Sequence, residues 1–175
     1  MNENLQDEQI ILNGSPVLLN GEHRITLADF VRERGATSVH LGCEHGVCGA
    51  CNVLVDGSCT RACLTLAHGC AGSSVTTLDG LQDELARRLR KAFNAHHALQ
   101  CGFCTPGMFV SAYDMLASGD ALDEARVREH LAGNICRCTG YQGIVDAILS
   151  VANPHAPTAG GHSDHHHPHS EEVHS

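Results

Sequence analysis

The chain has 175 residues, ten of them cysteine, with 42% apolar but only 3% aromatic residues, no Trp, and a net charge of −9 at pH 7. Phosphate binding needs clusters of Lys and Arg, and the one basic run here sits on an otherwise acidic chain, so no nucleic-acid partner is expected. No apolar run nears the roughly 18 residues of a membrane span, and "MNENLQDEQI" has neither the basic nor the apolar region of a secretory signal. A cytoplasmic protein is expected, and in a reducing compartment ten cysteines point to metal ligation rather than disulfides.

"IILNGSPVLLN" predicts a hairpin, because Asn13-Gly14 supplies the positive φ angles of a tight turn between apolar runs. "ITLADFVRERG" predicts a helix with Thr26 as N-cap, Asp29 three residues on and Gly35 as its stop. The glycine-rich loop "LGCEHGVCGAC" follows, then a strand from Asn52 to Val55, the turn Asp56-Gly57 and a returning strand towards Leu66. Beyond "VTTLDGL" the apolar period lengthens. Leu81, Leu85, Leu89 and Phe93 recur every fourth residue, with Arg87, Arg88, Arg90 and Lys91 forming a solvated opposite face. A second helix is predicted from the Thr105-Pro106 cap to Gly119, a third, short one from Asp123 to Gly133-Asn134, and a fourth around Ile144, Val145, Ile148 and Leu149. This is an α+β chain: a small mixed domain over 8–78, a helical domain over 79–153, and a histidine-rich tail over 154–175 expected to be disordered because nothing apolar can order it.

Cys43, Cys48 and Cys51, with four and then two residues between them, match the plant-type [2Fe-2S] spacing, which needs one distant fourth cysteine. If Asp56-Gly57 is a two-residue turn, Leu54 faces Cys59 and the hairpin returns Cys63 to the loop. Cys59 then lies about 10 Å up the ladder, too far to share an iron with Cys51. Cys63 is therefore the expected fourth ligand, and Cys59 and Cys70 are expected to be free thiols. Glycines let loop N–H groups point inward at a net-negative cluster. A single structural zinc usually takes two short cysteine clips instead. His45 could be mistaken for a Rieske ligand, but such centres need two histidines.

Cys101 and Cys104 have two residues between them, and Cys136 and Cys138 have one. Cys104-Thr105-Pro106 and Cys138-Thr139-Gly140 suggest that both pairs sit at helix N-termini, whose positive dipole ends lower thiol pKa values. On spacing alone this second set suits either a cluster or a structural zinc.

With both sets considered together, the sequence over about 8–153 closely resembles the two-cluster iron–sulfur subunit of the molybdenum hydroxylase (xanthine oxidase) family. The matching stretches are "GCEHGVCGAC", the distant Cys63, "HHALQCGFCTPGM" and "GNICRCTGY". The resemblance implies a β-grasp, plant-type ferredoxin-like domain followed by a four-helix bundle. It implies one [2Fe-2S] cluster on Cys43, Cys48, Cys51 and Cys63 and another on Cys101, Cys104, Cys136 and Cys138. It also implies that Gln100 and Cys138 lie near the pterin of a partner, that no catalytic residue is on this chain, and that Asn52 stands where Thr is common. The partners it implies are a large subunit carrying molybdenum on molybdopterin in its cytosine dinucleotide form and a medium FAD-binding subunit, assembled as a dimer of heterotrimers. The expected function is electron transfer from the molybdopterin centre through the two clusters to FAD. A free ferredoxin-like shuttle and a zinc-stabilised interaction module are the rival readings.

Overall fold

In the computed structural model, which describes residues 9–154, Asn13 and Gly14 take φ of 50° and 84° and turn β1 (Gln9–Leu12) into an antiparallel β2 (Ser15–Leu18). Helix α1 (Leu27–Glu33) starts where the Thr26 hydroxyl accepts from Asp29 N at 3.1 Å and donates to the Asp29 carboxylate at 2.7 Å. It ends before Gly35, whose φ is 91°. The Asp56-Gly57 turn joins β3 (Asn52–Val55) to β4 (Ser58–Arg61) in the expected register, with Leu54 opposite Cys59. The returning strand does not run to Leu66. It breaks after Arg61 into a 3-10 turn over Ala62–Leu64, and Leu66 meets Thr26 only as an isolated bridge.

The strand missed by hydrophobic periodicity is the central one. β5 (Ser74–Thr76) runs parallel to β1 and antiparallel to β3, giving the order β2-β1-β5-β3-β4. Three residues carry too little pattern to read, yet Val75 is fully buried. Because side chains alternate along a strand, β3 serves two cores. Val53 joins Ile10, Leu27, Phe30 and Val31 beneath α1, whereas Leu54 belongs to the core of the second half.

That second half holds four of the five α-helices among the described residues: α2 (Glu84–Ala95), α3 (Thr105–Ala117), α4 (Glu124–His130) and α5 (Gln142–Ala152). Leu89, Phe93, Met108, Val127, Ile144 and Ile148 share its core, and α3 lies against β3. Two arginines of α2 do more than face solvent. Arg88 donates to Val151 O at 2.7 Å, satisfying a carbonyl at the C-terminal end of α5, and Arg90 donates to Leu81 O at 2.5 Å. The tail expectation concerns residues that lie outside those described, Pro154 excepted. Among the described residues no helix is long and apolar enough to cross a membrane.

Candidate metal centres

The loop between α1 and β3 winds around the Cys43 sulfur. Cys48 N lies 3.4 Å from Cys43 Sγ, and backbone N–H groups, that of His45 foremost and then that of Cys48, hold the Cys43 thiol down to about 6. These are the inward-pointing donors that a negatively charged group in this loop requires. His45 itself turns Nδ1 to Cys43 O, 2.5 Å away.

Cys51 and Cys63 are both buried and adjacent: Ala62 N donates to Cys51 O at 3.4 Å, and the Cys63 thiol is a hydrogen-bond neighbour of Cys51. Burial pushes Cys51 up to about 11. Cys59 pairs with Leu54 in the sheet, and its sulfur lies 3.8 Å from Ser111 Oγ on α3. It is thus held on the opposite face of the sheet from Cys51, as well as up the ladder. Cys70 is buried in the first core.

In the second set Cys138 Sγ is 3.6 Å from Cys101 Sγ. Two thiolates on one tetrahedral metal, with bonds of about 2.3 Å, lie about 3.8 Å apart. Cys104 and Cys136 form the other pair, hydrogen-bonded to one another. Among the described residues no three His, Cys, Asp or Glu side chains gather as ligands of a single ion. The thiols come in twos, and two irons taking two thiolates each is the donor arrangement of a [2Fe-2S] cluster. The Thr105 hydroxyl, next to Cys104, is buried without a hydrogen-bond partner, a donor that a sulfide or thiolate acceptor suits. These residues could hold such a cluster.

The expectation that both pairs lie at helix N-termini needs correction. Cys104, not Thr105, is the N-cap of α3, but α5 begins only at Gln142 behind Tyr141, which has a φ of 69°. The dipole argument also fails at Cys104, because burial, followed by its hydrogen bond with Cys136, pushes that thiol up to about 12. Burial also works to raise Cys136, but the Thr139 hydroxyl, 3.1 Å away, and the N–H groups of Thr139 and Cys138 together bring it below the usual range. Cys138 is raised, chiefly by its hydrogen bond with Cys101. Tyr141 fixes the loop: its hydroxyl accepts from Cys136 N at 2.8 Å and donates to Asn134 O at 3.1 Å. Gln100 is exposed beside the exposed Cys101.

The two cysteine loops touch. Ile135 N donates to Cys48 O at 2.8 Å, His40 Nδ1 lies 2.7 Å from Phe103 O, and the His40 and Phe103 rings stack at 4.9 Å. Gly49 has a φ of 73°, and a Cβ there would come within 2.6 Å of Gly133 O. One on Gly107, in the first turn of α3, would overlap Gly49 O. Arg61, which sequence reasoning missed, donates to Gly46 O at 3.2 Å, to Gly133 O at 2.6 Å and to the Asn52 side chain. Asn52 in turn donates to Ser111 Oγ at 2.6 Å, and Ser111 to Asn134 Oδ1 at 3.0 Å.

Residues 10–74 match the family model of the 2Fe-2S iron–sulfur cluster binding domain, and residues 77–149 match that of the [2Fe-2S] binding domain. The chain is 48% identical over 141 residues to the nicotine 6-hydroxylase small subunit of Paenarthrobacter nicotinovorans, covering 80% of this chain and 86% of that one. It is 42% identical over 141 residues to the xanthine dehydrogenase iron-sulfur-binding subunit of Escherichia coli O157:H7, covering 79% of this chain and 89% of that one. The crystal structure of quinoline 2-oxidoreductase from Pseudomonas putida 86 superposes with a TM-score of 0.77 at 48% identity, over 83% of this chain and 92% of that one. Two thiol sets, one in each half, on a fold shared with such relatives at these coverages have one account: the chain belongs to the xanthine dehydrogenase family of molybdenum hydroxylases, as their iron–sulfur electron-transfer subunit.

Proposed function

We propose that this chain carries one [2Fe-2S] cluster on Cys43, Cys48, Cys51 and Cys63 and a second on Cys101, Cys104, Cys136 and Cys138, and conducts electrons from a molybdopterin centre on one partner to FAD on another. Each cluster, when bound, supplies reversible one-electron storage; the substrate chemistry belongs to the large partner. The first module spans 8–78 and the second, a four-helix bundle, 79–153. The partners are a large molybdopterin-binding subunit and a medium FAD-binding subunit, in a dimer of heterotrimers.

The observation that carries this reading is the hydrogen bond from Ile135 N to Cys48 O, 2.8 Å long. Through it, one residue and one hydrogen bond separate the ligand Cys136 from the ligand Cys48. The Phe103 ring, against His40 and within 3.3 Å of where a Cβ on Gly42 would stand, packs the second loop against the first. Cys101 and Cys138 are exposed and form the entry side, where Gln100 orients the pterin edge with its amide. Leu99, Phe103 and Ile135, each within three residues of one of these thiols, are 45%, 49% and 48% exposed and offer the large subunit an apolar surface. Near the first loop, Val47 and Leu64 do the same for the flavin subunit, at 51% and 61% exposure.

Native purification tests the assembly. Two larger polypeptides, molybdenum, flavin and two reducible clusters are expected together; a chain that purifies alone with both clusters is a free shuttle, and a colourless zinc protein overturns the whole reading. Anaerobic addition of substrate to the complex should bring up both cluster EPR signals.

A further inference from the structure

We infer that Arg61 is a positioning and charge-balancing residue, whose guanidinium ties the two cysteine loops together and raises the reduction potentials of both centres. This rests on the cluster assignment proposed above. Arg61 sits two residues before Cys63, half-buried, at the end of β4. Its fork reaches the first loop at Gly46 O and the second at Gly133 O, three residues before Cys136, and it also grips the Asn52 side chain next to Cys51. A Cβ on Gly133 would come within 2.5 Å of Nη2, so the glycine leaves room for the guanidinium where it stands.

All of these acceptors are neutral. Among the described residues the four ion pairs involve Arg24, Arg34, Arg87 and Arg128, and none involves Arg61. Withdrawing a fixed positive charge from water without a counter-anion is unfavourable, and the missing anions are what four-thiolate clusters on either side supply. Reduction adds one negative charge to a cluster, so a guanidinium between the two stabilises each reduced state and raises each potential. A lysine could supply the charge but not the planar fork that holds three acceptors. Arg61 itself gives up neither electron nor proton.

The test uses the full chain in its purified complex, with potentials read by EPR-monitored redox titration and iron and acid-labile sulfide measured in parallel. Arg61→Gln should keep both EPR signals and move both midpoints to lower potential. Arg61→Lys, which retains the charge, should keep both midpoints near those of the unaltered complex, and serves as the check if the Gln variant loads poorly. Unmoved midpoints in a fully loaded Gln variant, or an equal fall of both midpoints in the Lys variant, overturn the role of Arg61. Fewer than two clusters in the unaltered complex instead defeats the assignment underneath it.

Discussion

Cys59 and Cys63 lie four residues apart and face different neighbours. Cys63 reaches Cys51, while Cys59 is turned to Ser111 on the far side of the sheet. Cys63→Ser should lose the first cluster, halving the iron and removing one EPR signal, whereas Cys59→Ser should keep both. Two signals in the Cys63 variant would contradict the ligand set. Gln100→Ala should leave both clusters assembled and slow their reduction by substrate in stopped-flow absorbance; an unchanged rate would remove Gln100 from the entry side. That Cys63 meets Cys51 was legible because a two-residue turn fixes register, and register fixes which residues meet. Arg61 and Tyr141 were not legible, because what they bind is backbone carbonyl and N–H groups that folding alone brings within reach.

Local chemistry specified the elements best where it was strong. Asn13-Gly14, Asp56-Gly57, Thr26 with Asp29, and Asp123 all act as their side chains dictate, Asp123 accepting from Arg126 N at 2.8 Å. β5 and the start of α5 were not legible: the first is three residues held by partners on both sides, the second a tyrosine in a left-handed conformation. Asp83 caps α2 by accepting from Ala86 N at 2.8 Å and also takes the Tyr113 hydroxyl at 2.7 Å. Asp83→Ala should cost about 1 kcal/mol in urea unfolding of the anaerobic full chain. The Tyr113 hydroxyl, and then the Ala86 N–H, hold the Asp83 carboxyl below its usual range. A carboxylate depressed in the folded state stabilises fully above its unfolded pKa of about 3.9 and loses that contribution as pH falls through the folded value. Tyr113→Phe should therefore make the acid limb of the stability–pH curve shallower, and an unchanged limb would assign acid sensitivity to another group.

Across the whole molecule, the division into halves showed in the sequence as a change of apolar period, but the contact between the halves did not. It is made by glycines that read as ordinary loop and helix residues: Gly107 against Gly49 O, and Gly49 against Gly133 O. β3 joins in by turning Leu54 towards α3 while Val53 faces α1. Gly107→Ala should push α3 off the loop at a cost of about 1–3 kcal/mol, seen as a lower Tm with weaker coupling between the two EPR signals. A Tm equal to that of the unaltered chain would mean that the halves are not locked there.

Each set of four sulfurs is presented unevenly to the surroundings: Cys101 and Cys138 are exposed while Cys136 is buried, and Cys43 and Cys48 are half-buried while Cys51 and Cys63 are buried. Metal delivery and metal theft therefore share a doorway. Iron donors, chelators and oxidants all meet the outer sulfurs first.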